Sequence, residues 1–438
     1  MPNASIESAA AAPENGLEKR LEVDSNPLKI LIYTHDTYGL GNIRRMLAIA
    51  EHLVATDPRV HVLLITGSPM VQAFRVAARI DFVKLPCLER DHRGIYQARS
   101  LPMEVESLVR MRAQLIRSAL LSFSPDLVLV DKKPLGVKGE LAPALTALDR
   151  LPRPPALVLI LRDILDNPEK TMAAWERHGY HDVIDRWYQL VLVAGQPEVF
   201  DLADEYRFPM ATRRKLRYCG YIRRRELPPP PPARVPSTAR VLVSVGGGGD
   251  GAKVILHYLN GLARHPTRRL RLPSRIITGP ELPTDERKRI EALTRRLPDV
   301  RLEAFCEEMS CALSEADLVV GMCGYNSICE VLASGRRAVV VPRVTPVEEQ
   351  WIRAQRFARR GLLDALHPDR LTPERLMRAI EKALAVPPPD AAALLDFDGL
   401  NRIAYWVQRV LADRNATLDA AGSRAASGSS SLLKVVNG

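Results

Sequence analysis

Ala316 to Pro342 reads ADLVVGMCGYNSICEVLASGRRAVVVP. One apolar run ends at Gly321, a helical pattern begins near Gly324 or Tyr325, and a second β-branched run covers Ala338 to Val341. Strand, helix, strand in that order is a βαβ unit, whose two strands must lie parallel with the helix across one face. Asn326 and Ser327 place hydrogen-bond donors on the first helical turn, and Glu330 stands on the next. A carboxylate there can accept two hydrogen bonds from vicinal hydroxyls such as those of a ribose, while the helix N-terminus favours a diphosphate. The plainer reading is that Glu330 only offsets the helix dipole. Past the second strand, Glu349 and Gln350 are polar side chains suited to sugar hydroxyls, and Arg343 supplies positive charge.

The same rhythm extends outward in both directions. Strands are expected at Arg240–Val245, Ser274–Thr278 and Val300–Ala304, with helices in the gaps. Upstream, strands are expected at Leu28–Tyr33, His61–Ile65, Leu127–Val130, Ala156–Leu161, Leu190–Ala194 and Leu216–Ile222. Short strands alternating with helices mean parallel sheets covered on both faces. Between the halves lie Leu227 and five consecutive prolines, Pro228 to Pro232. Such a run fits neither a helix nor a central strand and stiffens a connection as polyproline II. The expected layout is a mobile tail over 1–26, an amino-terminal domain over 27–226, a linker over 227–238, a carboxyl-terminal domain over 239–412, and a second tail over 413–438. The helical stretch from about Ala391 to Leu411 either closes the second domain or crosses back to the first.

Ligands of open parallel sheets bind beyond the carboxyl ends of the strands, and three loops lie there. Val243 to Gly251 (VSVGGGGDG) holds four glycines, Gly246, Gly247, Gly248 and Gly249, able to turn several backbone N–H groups onto a phosphate. It is not a P-loop, because no GxxxxGK[ST] is present. Thr34 to Arg45 (THDTYGLGNIRR) carries Gly39 and Gly41 for a tight turn and Asn42 as a helix cap. His35 and Asp36 stand at that strand's end as candidate bases. The spacing is not GxGxxG and no acidic ribose hook closes a second strand, which argues against a nicotinamide dehydrogenase. Lys132 and Lys133 follow one strand and Arg162 and Asp163 follow another, placing charge on the amino-terminal wall of the same cleft; a solvated basic loop is the competing reading.

The whole chain is 438 residues, 46% hydrophobic and 26% charged, which excludes a fibre or a mostly disordered chain and requires more than one core. Its net charge of +11 favours an acidic partner. No run approaches the length of a membrane span and no signal peptide opens the chain, so a cytoplasmic protein is expected. The six cysteines form no CxxC pair and are read as buried thiols, with no metal expected. Asp396 and Asp398 form an Asp-x-Asp pair read as solvated. The basic clusters Arg213–Arg217, Arg223–Arg225 and Arg268–Arg275 are read first as solvated faces and second as a membrane-facing surface. Without interleaved aromatics, nucleic acid is not expected.

The second half resembles the carboxyl-terminal domain of family 28 glycosyltransferases, a group that includes the N-acetylglucosaminyltransferase acting on the lipid-linked peptidoglycan precursor. Ala316–Pro342 carries the resemblance together with Glu349, Gln350, Arg353 and Ala354. The first half, with HDTYGLGNIRR, VDKKPLG and CGYI, resembles a subgroup of bacterial glycosyltransferases whose first loop usually reads GLGHLRR. The resemblance implies an α/β fold of the GT-B type: two Rossmann-like domains whose parallel sheets face a central cleft. By the same resemblance the donor, a UDP-linked sugar, meets Gly246–Gly249, Gly324, Tyr325, Asn326, Ser327, Glu330, Arg343, Glu349 and Gln350. The acceptor, lipid-linked or a polysaccharide, meets Gly39, Gly41, Asn42, Arg44, Arg45, Lys132, Lys133, Arg162 and Asp163. Transfer would need no metal or further cofactor, and the protein would touch a membrane at most peripherally. Asn42 stands where relatives have His and cannot be a base, so Asp36 or His35 must serve. An epimerase or hydrolase on the same fold, or an inactive sugar-nucleotide-binding protein, are the alternatives.

Overall fold

The computed structural model describes residues 26–35, 41–90, 95–223, 238–264, 271–306 and 309–432, with side chains as far as residue 417. Asp36, Gly39, the proline run and the amino-terminal tail as far as residue 25 therefore lie outside the described residues.

The first domain holds strands β1 (Leu28–Tyr33), β2 (Val60–Thr66), β3 (Ile80–Lys84), β6 (Leu127–Asp131), β7 (Ala156–Arg162), β8 (Leu190–Ala194) and β9 (Leu216–Tyr218). They form one parallel sheet in the order β3-β2-β1-β6-β7-β8-β9. A short antiparallel hairpin, β4 (Leu88–Arg90) and β5 (Tyr96–Ala98), stands apart. The second domain pairs β10 (Val241–Ser244), β11 (Ser274–Ile277), β12 (Val300–Glu303), β13 (Leu318–Gly321), β14 (Arg337–Val340) and β15 (Asp364–Ala365) in the order β12-β11-β10-β13-β14-β15, again all parallel. Strands such as β6 (LVLVD) and β8 (LVLVA) are buried along their whole length, as a sheet covered on both faces requires.

Each sheet reverses its strand order once, at β1/β6 and at β10/β13. Those reversals are the switch points at which doubly wound sheets open a crevice. Of the helices that bear on the site, α1 (Gly41–Thr56) follows β1, α2 (Val105–Phe123) precedes β6, α3 (Tyr325–Ala333) follows β13, and α4 (Glu349–Ala358) follows β14.

The carboxyl end of the chain differs from the expected layout. Gly399–Leu432 is one helix, α5, where a tail was expected from 413. It packs on α1, β7 and β8 of the first domain, burying Ile403, Val407, Val410 and Leu411. Arg414 donates to Asp126 Oδ1 at 3.2 Å and to the Pro154 carbonyl at 3.0 Å. The second domain is thus an insertion between two parts of the first. At the return crossing, Tyr221 N donates to Asp396 O (2.7 Å) and Gly399 N to Tyr221 O (3.2 Å). The Asp-x-Asp pair belongs to this crossing: Asp396 and Asp398 both pair with Arg402.

Candidate functional site

At the second switch point, the loop after β10 and the first turns of α3 border a cleft of about 750 Å³ including its open mouth. Ser244, Gly246, Gly279, Phe305, Ser327 and Glu330 line it, over an apolar floor of Leu242, Ile277, Val319 and Val340. Arg44 reaches the same wall from α1 of the first domain. Close backbone approach shapes the rim: Gly279 has φ 83°, and a Cβ there would stand 2.3 Å from the Gly247 carbonyl oxygen. Gly279 was missed in the sequence, although a glycine two residues past a strand end is the same signal that singled out Gly246.

The first switch point brings His35, Lys132 and Lys133 together. His35 follows β1, and its backbone N–H donates to Asp131 Oδ2 at 3.2 Å. The imidazole is 2% exposed, and its Nδ1 has no hydrogen-bond partner among the described residues. Burial, then the charges of Lys132, Lys133, Arg90 and Arg112, hold its pKa well below the ordinary value, so it is neutral at pH 7. Burial, then Arg162, lowers Lys132 to about 7 against the opposing pull of Glu349. Burial, then Arg90 and Arg177, lowers Lys133 to about 8.

Several expected site residues are committed elsewhere. Arg45 is buried and ion-paired with Asp131 at 2.5 Å, so it holds the sheet edge and not an acceptor. Asn42 lies inside α1, which starts at Gly41, and does not cap it; it donates to the His35 carbonyl at 2.6 Å and accepts from Arg45 at 3.3 Å. Arg44 borders the second domain's cleft and not the acceptor wall. Tyr325 is buried and its hydroxyl accepts from Ile222 N at 3.1 Å, leaving no face for a donor. Asn326 donates across the cleft to the Gly41 carbonyl at 2.8 Å. Gly324 precedes α3 as its N-cap, and Gln350 accepts from Arg343 N at 3.1 Å. Gly247 and Gly248 pack on Glu281 and Thr278, and exposed Gly249 continues the turn.

The domain seam takes the remaining charges. Asp163, expected to face an acceptor, is buried with Arg353, which grips it through two bonds of 2.7 and 2.8 Å. Glu349 pairs with Arg162 at 2.6 Å, and Arg343 lies 3.9 Å away while also reaching Asp250 at 3.2 Å. Burial alone would raise the Glu349 carboxyl, but Arg162, Arg353, Lys132 and Arg343 outweigh it and hold the pKa at about 2. Glu349 therefore sits at the junction of both walls, as an ionised carboxylate. The six cysteines are free thiols, but only four of them are buried as expected: Cys311 is exposed and Cys87 half-buried.

Residues 242–393 match the glycosyltransferase family 28 C-terminal domain. Two curated relatives are UDP-N-acetylglucosamine–N-acetylmuramyl-(pentapeptide) pyrophosphoryl-undecaprenol N-acetylglucosamine transferases. The one from Glaesserella parasuis is 32% identical over 81 residues, 18% of this chain and 23% of the relative. The one from Phenylobacterium zucineum is 28% identical over 153 residues, 34% and 40% respectively. The chain thus matches well under half the length of these relatives. Among solved structures, MurG of Acinetobacter baumannii superposes with TM-score 0.58 at 15% identity, over 87% of this chain and 100% of that one. A UGT transferase from Siraitia grosvenorii in complex with UDP superposes with TM-score 0.59 at 13% identity, over 88% and 100%. The chain therefore carries a segment similar to the family 28 C-terminal domain within a two-domain fold shared with glycosyltransferases of the GT-B type.

Proposed function

We propose that the protein moves a sugar from a UDP-linked donor to an acceptor hydroxyl without a metal ion. The observation that carries this reading is the cleft at the second switch point, where Gly246, Ser327 and Glu330 ring an apolar slot that opens to solvent. Glu330 accepts from the ribose hydroxyls, and the diphosphate lies against the glycine loop and the amino end of α3. His35, neutral and with a vacant ring nitrogen, takes the acceptor hydroxyl's proton as its oxygen bonds to the anomeric carbon. The bond from that carbon to the diphosphate breaks, and the leaving charge is met by the helix N-terminus, Arg343 and Arg44. The curated relatives are named for a UDP-linked donor and a pyrophosphoryl-undecaprenol acceptor, which supports UDP and a lipid-linked acceptor. Among the described residues no helix is long and apolar enough to cross a membrane.

Calorimetry with UDP tests the donor site. Glu330→Gln is expected to weaken UDP about ten- to a hundredfold, the loss of charged hydrogen bonds. His35→Gln is expected to keep UDP affinity while turnover falls about 10²- to 10⁴-fold. Mass spectrometry of products formed in the presence of chelator separates transfer from release or epimerisation of the sugar. Equal UDP affinity in wild type and Glu330→Gln sinks the donor-site assignment.

A further inference from the structure

A second cavity opens on the carboxyl-terminal sheet, at the other end of its strands from the donor cleft. Leu242, Arg275 and Arg301 stand side by side across β10, β11 and β12. Side chains two positions apart share a face. Arg240 and Asp299, just before their strands, therefore fall on this face below that row, and Ser244 and Ile277 above it. The upper pair lines the donor cleft. The lower part of the face lines a separate cavity of about 860 Å³ including its open mouth. The crossover from β12 to β13 carries a helix of only seven residues, Met309–Glu315. At about 10 Å that helix is too short to roof the whole face.

The charge around this cavity is poorly matched in the free protein. A sheet face under a helix layer is normally apolar, yet Arg275 and Arg301 lie directly opposite one another, a destabilising pairing of like charges. Arg275 turns away to Glu303, to which it donates at 2.9 and 2.8 Å. Arg301 is left exposed, with no hydrogen bond or ion pair among the described residues. Arg240 Nε lies 3.8 Å from the Asp317 carboxylate, too far for a hydrogen bond. Asp299 offers no relief, because Arg271 already donates to both its oxygens at 3.0 and 2.9 Å. Glu315, at the end of the short helix, lines the same cavity and has no partner among the described residues. Two guanidinium groups and one carboxylate thus border one cavity with their hydrogen-bonding capacity unused.

We infer that this cavity is a second small-molecule site, in which Arg240 and Arg301 hold an oxyanion and Glu315 holds hydrogen-donating groups at the ligand's other end. Guanidinium forks match a phosphate or a carboxylate. A carboxylate such as Glu315 only accepts, so the ligand must bring hydroxyl or ammonium donors to it. The remaining wall, Pro273, Pro298 and Ala312, is small and apolar and holds no aromatic ring to stack on a base. A compact phosphorylated sugar or an amino acid has this chemistry; a nucleotide does not. The site also reaches the donor cleft. Leu242 floors both cavities, and Arg275 Nη2 lies 3.7 Å from Sγ of Cys306, which lines the donor cleft. An anion seated at Arg301 competes with Glu303 for Arg275, and a shift of Arg275 is felt at Cys306. This link rests on the proposed donor reading; the site itself does not.

The test is calorimetry on the full chain with saturating UDP, which occupies the donor cleft, titrating glucose 6-phosphate in one arm and alanine in the other. Binding of the first assigns the site to a phosphorylated sugar, and binding of the second to an amino acid. The ligand that binds is expected to lose about ten- to a hundredfold in affinity in Arg301→Gln, and to weaken in Arg240→Gln and Glu315→Gln as well. Arg301→Gln should melt no lower than wild type, because it removes one of two opposed like charges; a lower melting temperature would make Arg301 structural and overturn its role. UDP affinity with and without the ligand is expected to differ about fivefold or more in wild type and to be equal in Arg301→Gln, with the same factor in the reverse titration. No binding of either compound at millimolar concentration, or equal binding in wild type and all three variants, overturns the site. UDP affinity indifferent to a bound ligand overturns the link between the cavities. Failure of UDP to bind at all overturns the donor reading, and the same titrations without UDP then decide the site.

Discussion

Glu349 shows how one residue can be read correctly as important and wrongly as free. Its place after a strand marked it for sugar hydroxyls, yet it is sealed against Arg162, 187 positions away in the chain. No spacing rule reports such a partner. Glu330 was legible because everything that places it is local: a strand, a glycine turn and two helical turns. The Glu349 carboxyl, at about 2, is depressed from its ordinary 4.5. Between those values the unfolded chain binds the proton and the folded one does not. The pair's contribution is therefore full above about pH 4.5 and is lost as pH falls through about 2. Arg162→Met is expected to cost about 1–3 kcal/mol at pH 7 and to flatten the acid limb of a stability–pH profile measured by urea melts. An acid limb identical to wild type would contradict the pairing.

At the scale of elements, α4 acts as a charged zipper. Glu349, Arg353 and Arg356 fall at i, i+4 and i+7 on one helical face, and pair with Arg162, Asp163 and Glu205 of the first domain. Lys170 and Glu348 extend the row at 2.7 Å. A polar helical stripe in a sequence normally means solvent, which is why Asp163 was assigned to a ligand and not to this seam. Strand and helix positions were readable from period and burial, and the edge strands β3 and β15 were missed because short, mixed runs such as IDFVK carry little periodicity. Asp163→Asn is expected to lower stability by about 3–5 kcal/mol, since it strands a buried guanidinium. Asp163→Leu combined with Arg353→Met is expected to recover much of that loss in denaturant melts, by removing both charges from the seam. A double variant as unstable as the sum of its parts would show that the pair is not a unit.

For the whole molecule, two parallel sheets face one another across a cleft whose two switch points hold different chemistry. The +11 charge takes on a location here: part of it gathers at Lys132 and Lys133, and part is neutralised along the seam. The two-sheet layout was legible from the alternation of strands and helices, but the destination of the last helix was not, since an amphipathic pattern does not name the sheet it covers. Ending the chain after Asp398 is expected to expose Ile403, Val407, Val410, Leu411 and their partners. That forfeits roughly 5–10 kcal/mol, so soluble yield and helical signal by circular dichroism should collapse. Ending it after Thr417 should leave both nearly unchanged. The return of α5 also sets an order of events on the ribosome. The inserted second domain is contiguous and has all its strands as soon as it emerges. The first domain, although made earlier, waits for residues past 399 before its sheet is covered. The half of the protein that is born first is the half that finishes last, and until then its uncovered sheet face is open to chaperones.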